Sequence, residues 1–219
     1  AAVARAFAAQ GASLALHFNS HEAEMRALAA DISGAGGKPQ LVRGDLSKRG
    51  EARRVVNEAA QALGGLDALV NIAGTFRWET LSDGSPDTWD LLYKVNLRSA
   101  VAASKAALPH LRASGSGRIV NIGAGAAAKA GAGMGAYAAS KAGVARLTEA
   151  LAEELKDHGI TVNAVLPSII DTPPNRADMP KADFDRWVKP EQLADVIVFL
   201  LSDRAAAVTG ALLPVSGRV

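Results

Sequence analysis

The chain has 219 residues, 49% of them apolar and none of them cysteine. That suits one α/β domain with a sizeable core and excludes disulfides and Cys–Zn sites. Its net charge of +2 is spread along the sequence, with short basic groups (Lys48–Arg49, Arg53–Arg54) set among Glu and Ala on a helix face, so no nucleic-acid partner is expected. No apolar run reaches the roughly 18 residues of a membrane span, and the lack of thiols is compatible with a reducing cytoplasm, the expected location.

Ala1–Gln10 reads as a helix: Arg5 breaks any resemblance to a signal-peptide core, and Gly11 ends it in the manner of a C-cap. Ser13–Phe18, Pro39–Val42, Ala68–Ile72, Arg118–Ile122 and Thr161–Leu166 read as buried parallel strands, continuous and aliphatic rather than alternating. Leu212–Val215 is a further candidate. Between them the pattern predicts helices over His21–Ser33, Arg49–Leu63, Pro86–Ala113, Gly135–Lys156 and Pro190–Leu201. Ser85–Pro86 is a start signal, and Gly64–Gly65 and Gly159 are stop signals. The alternation argues for one domain, residues 1–219, built on a doubly wound parallel sheet.

The candidate site residues follow the strands, at the carboxyl edge of the sheet where open α/β folds bind ligands. "GDLS" puts Asp45 just past one strand. "VNIAG" supplies Asn71, able to tie neighbouring strands, and Gly74, which lets a ligand approach the backbone. Asn96 stands inside a long apolar helix, where a buried amide needs partners. Tyr137 and Lys141 lie four apart on one helix face, so the ammonium is expected to stabilise the phenolate and lower the Tyr137 pKa. "VNAVLPSIIDT" ends another strand with Pro167 and Thr172.

In this order and spacing, Asn71–Ile72–Ala73–Gly74, Asn96, Tyr137-x-x-x-Lys141 and Pro167-x-x-Ile170-x-Thr172 resemble the short-chain dehydrogenase/reductase family over essentially the whole chain. The resemblance implies a three-layer, Rossmann-like fold and a nicotinamide cofactor across the sheet edge. It implies Tyr137 as the proton donor or acceptor, Lys141 as its support and ribose ligand, and Asn96 as the holder of a relay water. It further implies that Asp45 and Leu46 flank the adenine, that Ala73 and Gly74 line the ribose, and that Ile170 and Thr172 meet the carboxamide and phosphates.

Three departures shape the expectation. Ala124 stands where most of the family has a Ser that hydrogen-bonds the substrate carbonyl, and Gly123, Gly125 and Ala126 offer no substitute. Losing such a donor costs on the order of 2–4 kcal/mol in the transition state. The Ala-rich loop and the segment Leu166–Trp187 are locally similar to the dihydropteridine reductase branch. Second, Phe18 occupies the place of the acid that selects NAD(H), and Asn19 and Ser20 follow as donors. NADP(H) is therefore favoured over NAD(H), although no Arg stands in that turn. Third, the family's first strand and Gly-rich turn belong immediately before Ala1, so roughly ten to twenty further residues are expected there.

The four His residues have no metal-ligand spacing, so no metal is expected. Trp78, Trp89 and Trp187 read as packing residues, with Phe76, Trp78, Met134 and Trp187 as alternatives for the pocket rim. Apolar residues on several faces of 135–156 (Val144, Leu147, Ala150, Leu151, Leu155) point to a homodimer or homotetramer interface. The expected function is an NADP(H)-dependent oxidoreductase acting on a small-molecule carbonyl or conjugated C=N/C=O group. The alternatives are a dihydropteridine-reductase-like or 3-oxoacyl-reductase-like enzyme, or a nicotinamide-binding protein without turnover.

Overall fold

The computed structural model describes all 219 residues. In chain order the elements are α1 (Ala2–Ala9), β1 (Ala15–Phe18), α2 (Glu22–Gly34), β2 (Gln40–Arg43), α3 (Glu51–Leu63), β3 (Ala68–Asn71), α4 (Pro86–Leu92), a π-helical turn (Tyr93–Arg98), α5 (Ser99–Ser114), β4 (Arg118–Ile122), α6 (Gly135–Leu155), β5 (Thr161–Pro167), α7 (Pro173–Asp178), α8 (Pro190–Leu201) and β6 (Leu212–Val215). All six expected strands form, each followed by or preceded by helix. Ser85 caps α4 as its sequence position predicts, its Oγ accepting from the Asp87 amide at 3.1 Å.

Every strand pair is parallel. The sheet comes in two sections, β1–β2 and β3–β4–β5–β6, which bears on the expectation of uniformly buried strands. β5 is buried throughout, and β4 nearly so. β3 is half-buried along its length and pairs with β4 in register from Ala68–Arg118 to Asn71–Asn121. Its continuation Ile72 is 53% exposed.

Helices join the two sections. On one face Val3 and Phe7 of α1 pack with Val120, Val165 and Ile197, while Ala4 and Ala8 of the same helix pack on Leu16, Leu28 and Ile32 beside β1. On the other face Val56 of α3 enters the largest core cluster, with Leu111, Ile119, Leu155 and Val162. The result is three layers, helix–sheet–helix, with all strand carboxyl ends at one edge.

The predicted single helix Pro86–Ala113 is interrupted. At Tyr93–Arg98 it widens to i→i+5 bonding, the Ser99 amide donating to Lys94 O, and Asn96 sits inside this turn. The apolar residues of α6 that suggested a subunit interface are also re-read. Val144, Leu151 and Leu155 are buried in the chain's own core and Leu147 packs against it, which leaves Ala150 exposed. A helix apolar on several faces is here covered by β5 on one side and by α4 and the π-turn on another.

Candidate active site

The parallel strands deliver their loops to one edge, and hydrogen bonds lock the edge from below. Asn71 and Asn121 are register partners on β3 and β4. Asn71 Nδ2 donates to Asn121 Oδ1 at 2.8 Å and to Ser104 Oγ at 3.1 Å, and Asn121 Nδ2 donates to Thr148 Oγ1 at 2.9 Å. This chain ties β3, β4, α5 and α6 together, the bracing role expected of Asn71. Asn121 and Thr148, not singled out in the sequence, share it; polar residues at positions patterned as core were the available signal.

Above this brace, Asn96 is buried and fully partnered. Its Oδ1 accepts from the Thr75 amide at 2.7 Å, and its Nδ2 donates to Thr75 O at 3.0 Å and to Ser140 Oγ at 2.9 Å. Ser140 in turn donates to Tyr137 O at 2.7 Å. The side chain thus pairs with the backbone of the β3 loop as a strand would, which fits the widened turn that carries it.

Tyr137 and Lys141 project from one face of α6, with Nζ 5.9 Å from the Tyr137 ring centroid. Lys141 is 5% exposed and donates to Ile122 O at 2.7 Å. Gly74 closes the group: a Cβ there would lie 3.1 Å from Asn96 Oδ1 and 3.5 Å from Lys141 Nζ. The structure therefore brings Tyr137, Lys141, Asn96 and Gly74 together, with Ala73 and Gly74 open to solvent.

The electrostatics correct one expectation. Burial pushes the Lys141 ammonium down to about 8 and pushes the Tyr137 phenol up. The phenol is not lowered, because Nζ lies over the ring and bonds to a carbonyl, and both groups are desolvated. Below pH 8 Lys141 is still an ammonium, with N–H donors to spare for a ligand hydroxyl.

The remaining predicted residues take separate places along the edge. Asp45 accepts from Ser47 N at 3.0 Å and Ser47 Oγ at 2.6 Å, and the Ser47 hydroxyl holds its carboxyl below the usual range; Leu46 is half-buried beside it. Pro167 ends β5. Ile170 bridges Val188, and its carbonyl accepts from Asn175 Nδ2 at 2.7 Å. Thr172 caps α7 through its Oγ1. Asn19 and Ser20 are exposed beyond β1. The sequence turn has no Arg, yet Arg43 at the end of β2 reaches it, its Nε donating to Asn19 O at 3.3 Å. Arg43, Lys48, Arg49 and Arg54 ring an open hollow with Asn19, together with Asp45 and Glu51. Parallel pairing of β1 with β2 (Phe18 opposite Arg43) was the signal that could have found Arg43.

Ala124 is buried at the end of β4, so no side-chain hydroxyl stands at that position. Phe76 meets the Tyr137 ring edge-on, with centroids 4.9 Å apart at 86°, and with Trp78 it forms the exposed mouth. Trp187, buried against Phe184, is a packing residue and not part of the rim. A neighbouring cavity of about 350 Å³ is walled by Arg77, Leu81, Trp89, Gly133 and Ala136. It abuts the first turn of α6 without including Tyr137 or Lys141.

A family model described as enoyl-(acyl carrier protein) reductase matches residues 1–217. A solved short-chain dehydrogenase from Burkholderia cenocepacia in complex with NADP is 36% identical, with a TM-score of 0.92 over 99% of this chain and 91% of that one. The chain belongs to the short-chain dehydrogenase/reductase family. It is an NAD(P)-dependent oxidoreductase of that family. Among curated relatives, the 3-oxoacyl-(acyl-carrier-protein) reductase of Thermotoga maritima is 33% identical over 96% of this chain and 89% of its own length. The cis-4-hydroxycyclohexanecarboxylate dehydrogenase of Sinomonas cyclohexanicum is 35% identical over 99% and 90%. No helix is long and apolar enough to cross a membrane.

The residues suit a nicotinamide dinucleotide. Gly74 leaves backbone bare beside a buried ammonium, Lys141 has donors unspent on protein, and the hollow beside Asn19 gathers cations. Bound there, such a cofactor would donate or accept the hydride.

Proposed function

We propose that this protein is an NADP(H)-dependent oxidoreductase for a small carbonyl or conjugated C=N/C=O compound. Tyr137 exchanges a proton with the substrate oxygen or nitrogen, and Lys141 holds the nicotinamide ribose and offsets charge on the phenolate. The side-chain donors of Asn96 are spent on Thr75 O and Ser140 Oγ, so the relay water expected of Asn96 has only the second lone pair of Oδ1 to bind. The convergence of Tyr137, Lys141, Asn96 and Gly74 at the strand-end edge carries this reading. A phenol raised by burial is a competent proton donor at neutral pH, and a nearby ammonium offsets the negative charge left when the proton is given up.

Preference for NADP(H) is supported by the buried apolar Phe18 in the place of a selecting acid and by Arg43 beside Asn19. Arg43 is only loosely engaged elsewhere, 3.7 Å from Glu22, whereas Arg54 is tied to Glu51 and Glu58. A 2′-phosphate would therefore meet Arg43 as the freer cation.

A second, pterin-reductase-like reading is favoured by Ala124. A conjugated ring accepts hydride without a Ser-held carbonyl. Proton transfer by Tyr137 is then less critical.

One set of assays tests the proposal. NADPH should bind at least about tenfold tighter than NADH, with the difference lost in Arg43→Ala; equal affinities would refute the preference. NADPH oxidation with acetoacetyl thioesters, quinones and quinonoid dihydropterin should rank the substrate readings. On a simple ketone Tyr137→Phe should abolish turnover, and Ala124→Ser should raise it by at least about tenfold. No turnover on any of these, with NADPH still bound, would leave a binding protein.

A further inference from the structure

Residues Thr75–Glu79 leave β3 and cross the mouth of the site without helix or strand, yet they are fastened at four of five positions. The Thr75 backbone is held on both N–H and C=O by Asn96. Phe76 lies edge-on against Tyr137. Trp78 Nε1 donates to Ala132 O at 3.0 Å, and the Glu79 amide donates to Gly133 O at 2.8 Å.

Gly133 is matched to this contact twice over. Its φ of +73° is one that side-chain-bearing residues rarely adopt, and a Cβ there would overlap the Trp78 indole. Trp78 is nevertheless 63% exposed, so burial in a core does not account for where it sits. Ala132 and Gly133 run straight into α6: the carbonyl of Met134 accepts from the Ala138 amide at 2.7 Å, and Tyr137 lies in that first turn.

We propose that Trp78 is a positioning residue, clasping the Ala132–Gly133 backbone so that the loop delivers Tyr137 to the site with its ring covered by Phe76. The consequence for turnover rests on Tyr137 being the proton-transfer residue; the clasp itself does not. The one charged group over the Tyr137 ring is Lys141, from its own helix. From the clasp, Phe76 is uncharged, the Glu79 carboxylate is occupied by the Ser85 amide at 2.7 Å, and Arg77 flanks the neighbouring cavity.

The chain has two tyrosines, Tyr93 and Tyr137, so a Tyr93→Phe background leaves tyrosinate absorbance as a probe of Tyr137 alone. In that background the phenol should titrate above the ordinary tyrosine value of about 10. Adding Trp78→Ala should bring the midpoint down by about half a unit or more, towards that ordinary value. Adding Trp78→Phe, which keeps a ring on Gly133 and loses the N–H, should lower it by less. A midpoint unchanged in both variants overturns the clasp, and so does an ordinary midpoint in the background itself. Should Trp78→Ala fail to fold, the Trp78→Phe shift decides alone, no shift overturning the proposal. The titration uses neither cofactor nor substrate, so it can fail while hydride transfer stands, and the reverse.

Discussion

At the scale of the residue, Lys141 is held in a conflict that stability does not explain and the proposed function does. Its ammonium is desolvated and keeps one protein partner, Ile122 O. In the folded chain it loses its proton near pH 8, whereas an ordinary lysine keeps it to 10.5. Between those values the unfolded state holds more protons than the folded one, so stability rises with pH, by up to about 1.4 kcal/mol per unit. Below pH 8 both states are protonated and the burial cost is felt in full. Urea unfolding at pH 7.5 and at pH 9.5 should therefore show the wild type gaining on Lys141→Met by roughly 1–2 kcal/mol. A difference that stays flat with pH would mean that the amine is solvated in the folded chain. Tyr137, raised in the opposite sense, enters only at higher pH. The Tyr137–Lys141 pair was legible because a fixed spacing on one helix face survives any detail of packing. The direction of the Tyr137 shift was not, because it depends on burial by Phe76, which is 61 positions upstream in sequence. Arg43 was hidden for a related reason: it lies in the next strand and reaches the Asn19 turn only once β1 and β2 pair.

At the scale of the element, the widened turn at Tyr93–Arg98 shows what a local pattern leaves out. Apolar periodicity reports a helix, and a helix is there on both sides; an extra residue in one turn leaves that periodicity almost intact. What fixes the turn is tertiary, the amide of Asn96 meeting both backbone groups of Thr75 and the hydroxyl of Ser140. The sequence did announce that a buried amide in this helix must find partners, without saying which. Asn96→Ala would strip three hydrogen bonds and leave the Thr75 groups and Ser140 Oγ to find others, a loss of about 2–3 kcal/mol. It would also release the Thr75–Glu79 clasp at its base. Thermal unfolding should register the destabilisation, and amide exchange should rise at Thr75 and Phe76. Asn96→Asp, isosteric but without Nδ2–H donors, should keep the Thr75 amide bond and lose the other two. If Asn96→Ala leaves both stability and exchange as they were, the turn is set by something other than this side chain.

At the scale of the whole molecule, the sheet's two sections differ in what holds them. β3–β6 is backed by clusters of ten and six buried residues, whereas β1–β2 packs on a separate cluster of Leu16, Leu28 and Ile32 and on α3. α1 packs on both sections, with Phe7 anchoring it on the α8 side and Ala4 and Ala8 meeting the β1 cluster. Phe7→Ala should cost about 2 kcal/mol, less than a fully buried Phe because the ring is only half-buried. Its effect should fall unevenly: amides of residues 15–18 and 40–43 should exchange faster, while those of β4 and β5 keep their protection. The proposed cofactor contacts lie on both sections, Asn19 and Asp45 on one and Gly74 and Lys141 on the other. NADPH at a hundredfold excess over its Kd should then return about 2.7 kcal/mol and restore protection in β1 and β2 first. Exchange that rises equally across both sections in Phe7→Ala would show that the sheet opens as one unit. NADPH that protects β4 and β5 while leaving β1 and β2 open would show that the dinucleotide does not span them.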